Sequence, residues 1–111
     1  MTHEELVAYA LAQPGATPDE PWEGDLVAKV GGKIFAFLGR EGVGLKCGPD
    51  ADAAAELRDR YPEAVTVSAY IGRYGWNVVS LDGTVPDDEL RELVDESYAA
   101  IVAKLPKNKR P

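Results

Sequence analysis

Residues 76–105 carry the strongest structural pattern in the chain and read WNVVSLDGTVPDDELRELVDESYAAIVAKL. The first six residues are rich in β-branched and aromatic side chains, which predicts a strand. Asp82-Gly83 predicts a turn, because glycine adopts positive φ without a Cβ clash. Pro86 suits the first position of a helix, and apolar residues then recur at helical spacing as far as Leu105. The sequence therefore predicts a strand, a turn and a long helix that packs on a sheet.

Two further helices are marked by their ends. Thr2 with Glu5 three residues later has the spacing of a capping box, and Pro14-Gly15 ends that first helix. Gly48-Pro49-Asp50 opens the second helix, and Tyr61-Pro62 closes it because the residue before proline avoids the α region.

The remaining segments predict an antiparallel sheet. Gly31-Gly32 joins two strands as a two-residue hairpin turn, whereas the proline- and glycine-containing residues 15–25 predict a loop. The fold class is therefore α+β, a two-layer α-β(3)-α-β(2)-α chain with helices on one face of a five-stranded antiparallel sheet. Residues 1–106 form a single domain, and residues 107–111 form a basic flexible tail. The five strands are 26–30, 33–38, 43–47, 65–68 and 76–81.

Length and charge narrow the class of protein. The chain of 111 residues fits one domain, and its net charge is −7. Positive charge is concentrated in residues 26–47 and 104–111. An acidic N-terminus predicts no signal peptide, no apolar run is long enough to cross a membrane, and Cys47 has no second cysteine. We therefore expect a cytoplasmic protein.

The residue types needed for catalysis are sparse. His3 is the single histidine, and we expect it to be solvated. Cys47 lacks a histidine to act as its base, which favours a structural thiol. The acidic residues of the 19–25 loop lack the spacing of a calcium loop. We therefore expect no enzyme, no catalytic residue, no cofactor and no metal site.

Three basic segments favour DNA as a partner. Arg73 and Tyr74 lie in an aromatic-rich segment, and arginine and aromatic rings both stack on bases. Lys29 and Lys33 flank the predicted hairpin turn. The alternative interpretation makes Arg73 a solvated loop charge and the basic tail a solubilising end. The basic residues of the tail are Lys107, Lys109 and Arg110.

Trp22, within the predicted loop, favours a protein partner. One interpretation is an aromatic lid that holds the loop on the core, and the other is a contact surface. The alternative function is therefore a protein-interaction or chaperone-like module without nucleic-acid binding, whose partner is another protein or a second copy of the chain. A small-ligand pocket between sheet and helices is a third possibility.

Seven short motifs resemble, in order, those of the MmcQ/YjbR family of small bacterial proteins. The resemblance implies an α+β fold similar to type III secretion chaperones and loosely to frataxin-like proteins. It also implies DNA binding through a double-wing arrangement of hairpins, and it brings no catalytic residue. Members often carry Asn-Lys-Lys-His or Asn-Lys-Arg-His before the tryptophan, where this chain has Gly72-Arg73-Tyr74-Gly75. The motifs are Leu45-Lys46-Cys47, Arg60-Tyr61-Pro62, Trp76-Asn77, Leu81-Asp82-Gly83, Pro86-Asp87, Ser97-Tyr98 and Ala103-Lys104-Leu105-Pro106-Lys107.

Overall fold

A computed structural model describes all 111 residues as three helices and one antiparallel sheet. The sheet has six strands in the order β1-β2-β3-β4-β6-β5. Two short 3-10 turns, Gly72–Tyr74 and Lys107–Lys109, complete the fold. The elements in chain order are α1 His3–Leu11, β1 Thr17–Trp22, β2 Asp25–Val30, β3 Lys33–Leu38, β4 Gly42–Lys46, α2 Ala51–Arg60, β5 Val65–Val67, β6 Trp76–Ser80 and α3 Asp87–Val102.

The strand count corrects the sequence prediction. Residues 15–25 were predicted to be a loop, but Thr17–Trp22 pairs with β2 as an edge strand. Pro18 and Pro21 are compatible with it, because an edge strand does not need every N–H for the ladder. The element order is therefore α-β(4)-α-β(2)-α, and the predicted number of five strands was wrong.

The predicted helix ends are largely confirmed. Thr2 caps α1 with a complete capping box to Glu5. Asp50 caps α2 by accepting a hydrogen bond from the Ala53 N–H at 2.9 Å. Pro86 stands at the N-cap of α3, one position earlier than predicted. His3, expected to be solvated, is instead half-buried with its Nε2 3.1 Å from the Leu38 carbonyl oxygen.

The helices cover one face of the sheet. A row of paired residues crosses β2, β3, β4 and β6, and every member is fully buried. Asn77 of this row donates through Nδ2 to the Ala54 carbonyl of α2 at 3.0 Å and accepts from Arg58. The row therefore faces the helical layer. Its members are Ala28, Ala36, Leu45 and Asn77.

A bulge in β3 turns an extra side chain into the core. The register between β2 and β3 shifts between Ala28 and Lys29, leaving Phe35 without a directly paired residue. Phe35 is fully buried and packs edge-on against Tyr98 of α3, with ring centroids 5.2 Å apart. The bulge therefore lets two consecutive residues, Phe35 and Ala36, bury their side chains.

Candidate functional site

The face of the sheet opposite the helices is open and forms a groove of about 430 Å³. Its floor contains Phe37, Gly44 and Val78, which lie opposite one another in β3, β4 and β6. A Cβ on Gly44 would lie 3.1 Å from the Phe37 side chain. Because glycine has no side chain, the groove stays open above this position. Trp76 supports the floor by packing edge-on against Phe37 with ring centroids 5.5 Å apart.

Exposed aromatic residues line the groove. Trp22, at the end of β1, is 58 % exposed, and Tyr70 is 96 % exposed in the segment that follows β5. Tyr70 also has a positive φ of 66°, which is uncommon for a residue other than glycine. Trp22 is too exposed to be a buried lid on the core. The groove is therefore apolar, concave and accessible, which is typical of a binding site.

Acidic residues flank Trp22 in the sequence, and one of them, Asp25, lines the groove. Glu20, Glu23 and Asp25 are exposed and take part in none of the ion pairs of the structure. Asp19 pairs with Lys29 at 2.6 Å, and this contact lowers the pKa of the Asp19 carboxyl. Lys29, a predicted DNA contact, is therefore occupied by an acidic partner within the chain.

Other predicted DNA contacts meet at the opposite, basic end of the sheet. Gly31, in the hairpin turn before Lys33, touches Leu105, and a Cβ on it would lie 3.1 Å from the Lys109 carbonyl oxygen. The basic segment that follows α3 therefore lies against the turn that carries Lys33. Residues 107–111 contact the domain here, while their flexibility in solution stays a prediction. We define the basic end as Lys33, Lys104, Lys107 and Lys109.

Arg73 and Tyr74 lie at the same end of the sheet. They immediately precede Trp76, which pairs with Lys46 at the end of β4. The Arg73 guanidinium lies 4.8 Å from the centroid of the Tyr74 ring, a cation–π geometry. The Tyr74 carbonyl accepts a hydrogen bond from Lys46 Nζ.

Arg110 caps the C-terminal end of α3, a role that was not predicted from the sequence. Its guanidinium donates to the carbonyl oxygens of Leu105 at 2.9 Å and Ala103 at 3.2 Å, beyond the C-terminus of α3. A cation at this position satisfies carbonyl groups that the helix leaves unpaired. Arg110 is therefore less available to an external phosphate than Lys107 or Lys109.

Cys47 follows β4 and is partly buried. Burial raises the pKa of its thiol to about 11, so the thiol is protonated at neutral pH. No group of three or more His, Cys, Asp and Glu side chains is placed to hold a metal ion. No helix combines the length and apolar character needed to cross a membrane.

Sequence reasoning missed the role of Tyr70 in the groove and the burial of Lys46 elsewhere in the fold. The sequence places Tyr70 in an aromatic-rich segment but does not predict a groove beside it, because the open face depends on β1 and on the path of residues 68–71. Lys46 contributes to the positive charge of residues 26–47 and to a family motif, but its burial was not predicted. A lysine directly after the apolar strand residues Val43–Leu45 was the available signal for a buried charge.

The chain is similar to proteins from several bacteria. The YjbR family model matches residues 11–100. The Uncharacterized protein YjbR of Escherichia coli (strain K12) is 35 % identical over 116 residues, which cover 99 % of this chain and 95 % of that protein. The crystal structure of Deinococcus radiodurans protein DR2400, with a DUF419 domain, has a TM-score of 0.84 at 27 % identity and covers 97 % of this chain and 84 % of that one.

A second solved structure shares the fold. The crystal structure of a protein from Pseudomonas syringae has a TM-score of 0.72 at 19 % identity and covers 90 % of this chain and 98 % of that one. The family match and the near-full-length relative together confirm the resemblance noted in the sequence. The chain belongs to the YjbR family.

Proposed function

We propose that this protein is a non-catalytic interaction module that receives an extended, positively charged segment of a partner protein in the open-face groove. The observation that carries the proposal is the pairing of an apolar floor with two exposed aromatic walls, Trp22 and Tyr70. Tryptophan and tyrosine are enriched among the residues that dominate binding energy at protein interfaces.

The size of the groove favours a segment over a whole folded surface. A volume of about 430 Å³ holds a few side chains. Alternate residues of an extended peptide point the same way, so two or three apolar side chains could enter the groove from one strand-like segment. The two walls would then contact these side chains from opposite sides.

Charge favours a basic partner. Glu20, Glu23 and Asp25 beside Trp22 are exposed and unpaired, and the whole chain carries a net charge of −7. Complementary charges speed association and reject partners of the same sign. A segment combining apolar residues with lysine or arginine would satisfy both the floor and the acidic surroundings of the groove.

Selection from a peptide library displayed on phage tests this proposal. We expect enriched peptides to combine apolar residues with lysine or arginine, and to bind at least about tenfold more weakly to the Tyr70→Ala variant. Tyr74→Ala is the matched control, because Tyr74 is also exposed but does not line the groove. Enrichment of acidic peptides, or an equal effect of the two variants, would contradict the proposal.

Light scattering tests whether a second copy of this chain occupies the groove. A dimer that Tyr70→Ala converts to a monomer would assign the groove to a second copy of this chain. That result would also count against the peptide proposal.

The basic end favours DNA binding as a second candidate function. The Gly31-Gly32 turn that precedes Lys33 lies against the segment that carries Lys107 and Lys109, so lysines from distant parts of the sequence share one end of the sheet. Phosphate contacts would make affinity fall steeply with salt, with a slope near −0.9 per contact. Fluorescence anisotropy of a short labelled duplex at about 50 and 200 mM salt measures this dependence.

Matched variants separate this candidate from general charge effects. Replacing Lys107 and Lys109 by glutamate should abolish duplex binding, and Arg73→Glu should weaken it. Lys29→Gln should change it little, because Lys29 already pairs with Asp19. Absence of binding at the lower salt concentration would exclude this function.

A further inference from the structure

Lys46 is a buried cation without a carboxylate partner. The residue is only 4 % exposed, and its Nζ donates to the Tyr74 carbonyl. None of the four ion pairs in the structure includes Lys46. Buried charges are normally paired, because removing an ion from water costs several kcal/mol. A buried ammonium group without a carboxylate partner would be stabilised by a bound anion.

A second lysine increases the demand for negative charge. Lys46 and Lys104 line one cavity of about 370 Å³ between the end of β4 and the C-terminal half of α3. Burial and the nearby charge of Lys104 both lower the pKa of Lys46, whereas Asp50 acts in the opposite direction. Two positive charges in one cavity repel each other, and a bound anion would offset this repulsion.

One residue of the cavity wall has a backbone N–H without a partner. Gly48 lines the cavity, and the Gly48 N–H donates to no acceptor within the protein. Glu96 on α3 is the acidic residue of the cavity wall, but it forms no ion pair with either lysine. Two lysines against one glutamate give the cavity wall a net positive charge, which suits a phosphate-type oxyanion with several acceptor oxygens.

We propose that this cavity is a binding site for a phosphate-type oxyanion, with Lys46 and Lys104 as its charged ligands. Lys46 supplies a rigidly held ammonium group, because its backbone N–H donates to Ser97 Oγ at 3.0 Å and its Nζ is anchored on Tyr74. Lys104 is exposed and closes on the anion from the solvent side. This site is separate from the open-face groove, so its failure would not affect the interaction proposed there.

The test is an NMR titration with inorganic phosphate, using sodium chloride at matched ionic strength as the blank. We expect saturable shifts of the Gly48 and Ala103 backbone amides in the cavity wall. Lys104→Gln should weaken binding about tenfold, because a charged hydrogen bond is lost. Arg40→Gln, at an exposed position outside the cavity, should leave the affinity within about twofold. Glu96→Gln should strengthen binding, because it removes a competing negative charge.

The Lys104 variant decides the outcome, since it replaces an exposed residue and should leave the fold intact. A short DNA duplex titrated in parallel distinguishes the source of the anion. Shifts with inorganic phosphate alone support a free oxyanion, and shifts with both ligands support a site for phosphate groups from either source. Absence of shifts with phosphate up to about 10 mM, or equal shifts in Lys104→Gln, would overturn the proposal.

Discussion

The Ser97 hydroxyl of α3 donates to the Phe35 carbonyl of β3 at 2.6 Å. The same oxygen accepts the Lys46 backbone N–H of β4 at 3.0 Å. Ser97 is fully buried, so one hydroxyl satisfies two polar groups of the sheet that water does not reach. It also lies where the β3 bulge and the end of β4 meet the long helix.

Ser97→Ala should destabilise the protein by about 2–4 kcal/mol, because it leaves a buried carbonyl and a buried N–H unpaired. Urea denaturation followed by circular dichroism measures the change. Ser80→Ala is the control, since Ser80 is half-buried and its hydroxyl accepts one longer hydrogen bond of 3.3 Å from the Asp82 N–H. A loss for Ser97→Ala no greater than that for Ser80→Ala would contradict this account.

The two glycines of the β2–β3 turn form a matched pair of sites. Both have positive φ, 58° at Gly31 and 82° at Gly32, so alanine is strained at either position. Only at Gly31 would the new Cβ meet another group, because Leu105 Cδ1 lies 2.5 Å from its position. We expect Gly31→Ala to cost about 2–3 kcal/mol and Gly32→Ala about 1 kcal/mol. Equal losses in thermal or urea unfolding would show that Leu105 does not hold its place against the turn.

The buried Cys47 thiol should make the free energy of unfolding decrease in the alkaline pH range. Burial raises its pKa from 9.0 to about 11, so between these values the unfolded chain loses the proton while the folded chain keeps it. The unfolded state then binds fewer protons, and stability falls as pH rises, by roughly 3 kcal/mol in total once the pH exceeds the folded-state pKa. The urea midpoint of the unsubstituted protein should fall between pH 8 and a pH above 10. The fall should be smaller in the Cys47→Ala variant. An equal fall would show that other groups cause it.

The long helix and the hairpin were predictable because their signals are local. Pro86, the acidic first turn and the repeated apolar residues all indicate α3, and Gly31-Gly32 indicates a tight turn. The edge strand β1 was not predictable in this way. Its residues Thr17–Trp22 are all exposed and include two prolines, so only pairing with β2 makes them a strand.

The candidate sites depend on contacts between distant residues. Trp22 could be recognised as unusual, but its exposure depends on where β1 ends. Lys29 was a plausible phosphate contact by charge, and only the structure shows its Asp19 partner. The burial of Lys46 likewise follows from the packing of α3 against β4, and no local sequence pattern predicts this packing.

The affinity of a library-selected peptide for two valine variants tests the central claim most directly. Val78 lies in the groove floor and is 37 % exposed, whereas Val67 is 56 % exposed outside the groove. Isothermal titration calorimetry should show that Val78→Lys weakens binding at least about tenfold, because the new ammonium group blocks the groove and repels a basic peptide. Val67→Lys should leave binding within about twofold. Unchanged affinity for Val78→Lys, or an equal loss in both variants, would contradict a binding function for the open face.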